Sequence, residues 1–385
     1  MLVRRISGVL VVLGVIVAGC TGEETADEQS VIRIGLEGPI TGEQASNGVD
    51  MLRGARLAVE EANAEGGVLG RRIELMALDD QADPEVGVEV VQDAVDAGVF
   101  AVVGPYNSSV GVENLPIYLD NGIIPIHLTT DSETNGMGFT IQPKDYQLAP
   151  IEAAAISDFF GARRVAVLYD PSTFTKGIAF GLRDLLEEAG VSIVAFQKED
   201  PDTWRSEESD LVRRVMAEEP DFIYASTYFP EGAWIAQDIL DLENPPACLM
   251  GLANQDPGFV EIAGLEAARA CPSSGVPDAA QFPQAQGYVE DYRDRFGTDP
   301  GTWGTFTYDS VKLLFDAVRR AESWDSDAVN DELTATEGYE GITGTTTIDE
   351  SNGNRVDVPV VILDVNEEGS YVVDPEWAEF AGFGA

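Results

Sequence analysis

Val31-Ile32-Arg33-Ile34-Gly35-Leu36 opens the stretch that decides the fold. It is short, rich in β-branched residues and bounded by Glu37-Gly38-Pro39, so it reads as a strand. Met51, Leu52, Ala55, Val59 and Ala62 then recur at helical spacing on one face. Asn63-Ala64-Glu65-Gly66-Gly67 ends that helix, because glycine takes the left-handed conformation past a helix end without penalty. A second strand follows at Ile73–Leu78. Asp83-Pro84 opens the next helix with a capping side chain and a proline at the first helical position. Strands at Val99–Val103 and Ile123–Leu128 flank a helix near Val110–Leu119. Strand and helix alternating without a long break is the pattern of βαβ units around a parallel sheet.

The pattern starts again after Gln142-Pro143-Lys144. Strands are expected at Val165–Tyr169, Val191–Phe196, Phe222–Ala225 and Cys248–Gly251, with helices at Ile178–Ala189, Ser209–Glu218 and Ala233–Leu242. Beyond Gly275 come helices at Gln284–Phe296 and Thr305–Arg320, then strands at Thr345–Ile348 and Val358–Asp364. The late helices need a surface to pack on, and the first unit has few helices of its own. The chain is therefore expected to cross between two lobes more than once.

Composition removes several function classes. The chain has 385 residues, 44% of them hydrophobic, which is enough for two domains. With 23 Lys plus Arg against 68 Asp plus Glu, the formal charge is −45, which would repel nucleic acid and anionic lipid. The excess is evenly spread, and a solvated surface in a saline habitat accounts for it. One histidine and three cysteines leave little for a metal centre or a His-based triad. No phosphate loop is present, so no cofactor is expected. His127 lies in an apolar strand and reads as a core histidine.

The N-terminus sets the compartment. Arg4 and Arg5 precede an uncharged apolar run from Ile6 to Val17, the pattern of an export signal. Val17-Ala18-Gly19-Cys20 resembles the lipobox of bacterial lipoproteins, which implies cleavage after residue 19 and a lipid on Cys20; ordinary signal cleavage is the alternative. Residues 20–30 then form an acidic tether. The expected location is outside the cytoplasmic membrane, in the periplasm or at the cell surface, held to the membrane only by lipid.

Taken in order, the motifs resemble the bacterial lipoproteins that bind branched-chain amino acids for ABC importers, the type I periplasmic binding proteins. Ile34-Gly35-Leu36-Glu37-Gly38-Pro39-Ile40-Thr41-Gly42 is similar to the family's first strand and glycine-rich loop. Gly54-Ala55-Arg56-Leu57-Ala58 with Asn63 to Gly70 resembles its first helix and turn. Asp79-Asp80-Gln81-Ala82-Asp83-Pro84, Val103-Gly104-Pro105-Tyr106-Asn107-Ser108-Ser109 and Asp221-Phe222-Ile223-Tyr224 with Tyr228 follow in the family's order. The resemblance implies an α/β fold of two Rossmann-like lobes with parallel-rich sheets, joined by a three-stranded hinge around a ligand cleft. Lobe one would take 31–142 plus 275–345, and lobe two 143–274 plus 346–385.

Ligands of open α/β sheets bind beyond the carboxyl ends of the strands. Ser108 and Ser109 follow a strand and begin a helix, where backbone N–H groups suit a carboxylate; an N-cap role for Asn107 or Ser108 is the alternative. By the resemblance, Thr129, Thr130 and Asp131 meet the ligand's polar groups, although Asp131 could equally cap the next turn. Phe174, Tyr228 and Trp303 would wall the cleft, with Phe174 read as a loop residue and core packing as its alternative. Asn47 and Asn254 would stand near the rim. One departure matters. Family members selective for aliphatic amino acids tend to carry a glutamate for the ligand ammonium where this chain has Ala253, so Asp131 or Asp256 would have to replace it, or the ligand carries no ammonium.

Cys248 and Cys271 lie near two strand ends, and export favours a disulfide between them. The expected function is capture of a small amino acid or related polar solute by a monomer that hands it to an inner-membrane ABC permease. The alternative is a sensor subunit of the same fold. An activated nucleophile is missing, so an enzyme is not expected.

Overall fold

The computed structural model describes residues 31–198, 211–256 and 258–382. The expected leader at 1–19, Cys20 and the tether lie outside these residues, as does Ser209 at the head of one expected helix.

The first sheet contains β1 (Val31–Gly38), β2 (Arg72–Asp79), β3 (Ala101–Val103) and β4 (Ile124–Ile126), all parallel in the order β2-β1-β3-β4. Its crossovers are α1 (Ala45–Ala64), α2 (Pro84–Asp96) and α3 (Ser108–Asp120). β1 is buried continuously from Ile34 to Gly38 rather than in alternation, as expected of a strand covered on both faces. Asp83 accepts from the Glu85 N–H at 2.8 Å with Pro84 at the first helical position, as its sequence implied. Past α1, Gly66 and Gly67 take φ of +100° and +83° and turn the chain toward β2.

The second lobe begins with α4 (Asp145–Ala154). It continues through β5 (Arg164–Tyr169), α5 (Thr173–Glu188), β6 (Ser192–Lys198), α6 (Leu211–Met216), β7 (Phe222–Ser226), α7 (Glu231–Leu240) and β8 (Ala247–Met250). Two short helices, α8 (Phe259–Ala263) and α9 (Leu265–Ala270), lead to β9 (Ser273–Gly275). The chain then returns to the first lobe with α10 (Gln286–Phe296), α11 (Thr302–Ala321), α12 (Ser326–Thr334) and a hairpin of β10 (Tyr339–Gly341) and β11 (Gly344–Thr346). It ends in the second lobe as β12 (Val361–Val365), β13 (Tyr371–Val373) and α13 (Pro375–Ala381). The second sheet runs β13-β12-β9-β8-β7-β5-β6, parallel from β9 to β6 and antiparallel at β12 and β13.

The chain thus passes between the sheets three times, as expected. The first and third crossings pair: Thr140 N–H donates to Gly353 O at 3.0 Å and Arg355 N–H to Thr140 O at 2.8 Å. β4 is shorter than expected because His127 turns away to this layer, its N–H bonding Phe139 O at 2.8 Å. The expected strand at Thr345–Ile348 is half β11 of the hairpin, through Thr346, and half this crossing.

Helix α11 lies under α1, where Gly54 meets Gly304 so closely that a Cβ on Gly54 would sit 2.0 Å from Gly304 O. Beside that contact, buried Asp50 accepts from the N–H of Gly301 at 2.9 Å and from Tyr292 Oη at 2.8 Å. Burial raises the pKa of Asp50, and the N–H groups at the positive end of α11 act against that. In the second lobe, Cys248 and Cys271 form a disulfide that ties β8 to the link between α9 and β9.

Candidate functional site

Three loops leave the carboxyl ends of the first sheet: 39–44 after β1, 104–107 after β3 and 127–131 after β4. The equivalent ends of β5, β7 and β8 face them across the interlobe boundary. Between the two rows lies a cavity lined from one side by Tyr106, Ser108, Leu128, Thr130, Gln142 and Trp303, and from the other by Phe174, Tyr228, Leu252 and Ala253. It encloses about 220 Å³ between atoms and is too narrow in this arrangement for more than a water, so a solute enters only when the lobes part.

Ser108 is the first residue of α3, and Asn107 is its N-cap. The Asn107 side chain does not cap the helix; its Nδ2 donates to Gln44 Oε1 at 2.9 Å. Ser108 Oγ accepts from the N–H groups of Thr130 and Asp131, both at 3.2 Å, and so fixes the loop after β4. Thr130 Oγ1 accepts from Gln142 Nε2 at 3.1 Å, which places both residues on the wall. The Tyr228 hydroxyl stands against the Asn107 side chain and the Ser108 N–H, so a residue of lobe two reaches the amino end of α3. Burial holds that phenol far above its usual range, with Asp170 adding to the effect, and Tyr228 stays protonated.

The aromatic wall is continuous. Tyr106 lies 5.3 Å from Trp303 and 6.3 Å from Tyr228, and Phe174 lies 5.3 Å from Tyr228, centroid to centroid. Phe174 is helical rather than a loop residue. Ser172 caps α5 by accepting the Thr175 N–H at 3.4 Å, which brings Phe174 into the first turn. The cluster of Pro, Ser and Thr around it reflects a helix start.

Five expected site residues line this cavity: Ser108, Thr130, Phe174, Tyr228 and Trp303. The others lie behind it. Thr129 turns inward, its Oγ1 bonded to His127 Nδ1 at 2.8 Å and Thr134 Oγ1 at 2.7 Å. Ser109 is half-buried on the next position of α3, and Asn47 is buried on α1. Asn254 holds the loop after β7, donating to Thr227 O at 2.9 Å. Asp131 caps the turn at 132–134, accepting the Glu133 N–H at 2.7 Å, and burial raises its pKa above the ordinary carboxylate range. Tyr106, Leu128, Gln142 and Leu252 were not singled out from sequence. Tyr106 alone had a signal, standing between a strand end and a helix start.

Behind the wall, buried Lys144 donates to Asp131 O and Thr134 Oγ1, both at 2.7 Å. Burial lowers its pKa to about 8. The same burial, with Lys144 beside it, keeps His127 neutral, consistent with a core role. A wider groove of about 1090 Å³ runs between residues 278–302 and the β12–β13 turn. Its polar groups serve the protein itself: Gln255 bonds both backbone groups of Val276, Asp278 accepts from Ala280 N–H, and Arg293 pairs with Asp299 at 2.6 Å. Among the described residues there is no cluster able to hold a metal ion, and no helix is long and apolar enough to cross a membrane.

Comparison with known proteins agrees with this architecture. The family profile described as "Periplasmic binding protein" matches residues 31–370. The chain is 29% identical over 260 residues to the Leu/Ile/Val-binding protein BraC3 of Rhizobium johnstonii, covering 66% of this chain and 70% of that one. It is 28% identical over 299 residues to Leu/Ile/Val-binding protein homolog 2 of Brucella abortus, covering 76% and 80%. Among solved structures, the leucine-binding protein LivK of Thermotoga maritima superposes with a TM-score of 0.80 at 25% identity, over 89% of this chain and 97% of that one. The branched-chain amino acid binding protein LivJ of Streptococcus pneumoniae, in complex with isoleucine, gives the same values.

Proposed function

The chain belongs to the periplasmic binding protein family, and from that premise we propose that it captures a small amino acid or related polar solute between its lobes and delivers it to an ABC importer. The observation that carries this reading is the interlobe cavity, walled by aromatic rings from both lobes, Tyr106 and Trp303 on one side and Phe174 and Tyr228 on the other. The names of its relatives place aliphatic amino acids first among the solutes to try. It is a solute-binding protein and not an enzyme, and it works outside the cytoplasm.

We assign lobe one to 31–142 with 275–345 and lobe two to 143–274 with 346–385; the two sheets fall on either side of this division, and β9 ends on its boundary. Closure of the lobes presents one continuous surface to a permease, and Cys20 carries the lipid that keeps the protein beside it. The test is binding by alanine variants. Phe174→Ala and Tyr228→Ala should each weaken solute affinity at least tenfold while the melting transition stays cooperative; wild-type affinity in both sinks the assignment of the cleft. Cys20→Ala should release the protein from membranes, and unchanged membrane association counts against the lipid anchor.

A further inference from the structure

We infer that the cleft takes a small carboxylate with a branched or aromatic body and no ammonium group. This rests on the binding reading above and narrows its substrate class. Ser108 Oγ accepts two N–H groups, from Thr130 and Asp131, so both lone pairs are used and its proton is left to donate. Trp303 is 2% exposed, and its Nε1–H faces the Tyr106 hydroxyl without completing a hydrogen bond. The first turn of α3 is not capped by the Asn107 side chain and, beside the Ser108 N–H that the Tyr228 hydroxyl meets, presents further backbone N–H groups at the same end. Donors converge there, and a carboxylate is the acceptor that satisfies several donors at once.

An ammonium finds no such welcome. Ala253 lines the cavity where a carboxylate would be needed. The acids nearby hold groups of the protein, and none of them lines the cavity. Asp131 holds the Glu133 N–H with one oxygen, and its other faces α5, where a Cβ on Gly177 would fall 2.8 Å from it. Asp170 holds Ser172 N–H and Thr175 Oγ1, both at 2.7 Å. Asp256 holds Ser46 Oγ and Gly258 N–H. The open acceptor on the wall is Gln142 Oε1, a neutral amide oxygen that suits a ligand hydroxyl and does not neutralise a cation. Nor do the rings form an open cage for a cation, because Tyr106 packs on Trp303 and Phe174 on Tyr228. Burying an ammonium without a carboxylate is costly, so a ligand lacking it is preferred.

Titration calorimetry on the purified protein at pH 7.5 tests this with matched pairs: leucine against 4-methylpentanoate, and phenylalanine against 3-phenylpropanoate, each acid also as its primary amide. The acid of each pair should bind at least tenfold tighter than both the amino acid and the amide. An amino acid that binds as tightly as its acid overturns the inference and leaves the solute-binding reading standing. So does binding confined to an amide, a sugar or glycine betaine. If no small solute of any class binds, both readings fall. Ala253→Glu should reverse the leucine pair, favouring the amino acid at least tenfold. An A253E protein that melts cooperatively and still prefers 4-methylpentanoate overturns the role given to Ala253.

Discussion

Ser46 and Asp256 offer a direct handle on lobe closure. Ser46, at the start of α1, donates its hydroxyl proton to Asp256 Oδ2 at 2.6 Å, joining lobe one to the loop after β8 in lobe two. Hydrogen bonds to a charged group contribute about 1.5–3 kcal/mol. Ser46 itself is exposed, so water replaces part of the loss when its hydroxyl is removed. A net cost to the closed form of about 1–2 kcal/mol is therefore expected, which is about five- to thirtyfold in affinity. Ser46→Ala should show that loss by titration calorimetry at pH 7.5, expressed chiefly as faster dissociation in stopped flow, because contacts made on closure hold the solute in. Burial of Asp256 on closure also sets a pH dependence, which the Ser46 bond partly offsets. Burial raises the Asp256 carboxyl to about 6 in this closed arrangement, and neighbouring Asp50 acts in the same direction. With the lobes parted the group meets water and returns toward its ordinary value near 3.9. The closed form thus binds the proton more tightly; this contribution to closure is complete below about pH 4 and is lost as pH rises through about 6. Affinity should be higher at pH 5.5 than at pH 7.5, and Asp256→Asn should flatten the profile. An S46A protein with wild-type affinity and dissociation rate, or an unchanged pH profile in D256N, refutes the reasoning.

Glu152 is fully buried against Ser274, and burial raises its carboxyl to about 7 from an ordinary 4.5. Its favourable contribution is present below about pH 4 and lost as pH rises through 7, so Glu152→Gln should match wild type near pH 5 and gain up to about 3 kcal/mol at pH 8.5 in urea unfolding; an equal gain at both pH values contradicts this. The Cys248–Cys271 disulfide spans 23 positions. In the chain-entropy account its removal by a double serine substitution costs about 3 kcal/mol, and an unchanged urea midpoint excludes that magnitude. Gly54→Ala places a Cβ 2.0 Å from Gly304 O and should cost about 1–3 kcal/mol or more, with a melting temperature equal to wild type counting against the close α1–α11 contact.

The sequence carried the fold well because the signals were local. Asp83-Pro84 and Gly66-Gly67 mark helix ends through their own backbone chemistry, and continuous apolar runs such as Val99–Val103 report burial on both faces. Elements whose cause is tertiary were harder to see. β9 is three residues of Ser and Gly, held by pairing to β12 and β8 rather than by propensity. β4 stops early because the hinge layer competes for His127. At the site, position after a strand end located Ser108 and Thr130, but it could not say which way a small polar side chain turns. Thr129 and Asn254 occupy similar positions and turn instead to the His127 side chain and the Thr227 carbonyl. Leu128, Leu252 and Gln142 have no distinguishing chemistry. An apolar residue on a cavity wall and one in the core read alike until the two lobes are brought together.

A crystal structure grown with whichever solute binds tightest in titration should show it enclosed by Tyr106, Ser108 and Trp303 on one side and Phe174, Tyr228 and Ala253 on the other, its anionic end toward the first turn of α3. Density for the solute in the groove beside Arg293 and Tyr371, with the interlobe wall unoccupied, would contradict the central claim.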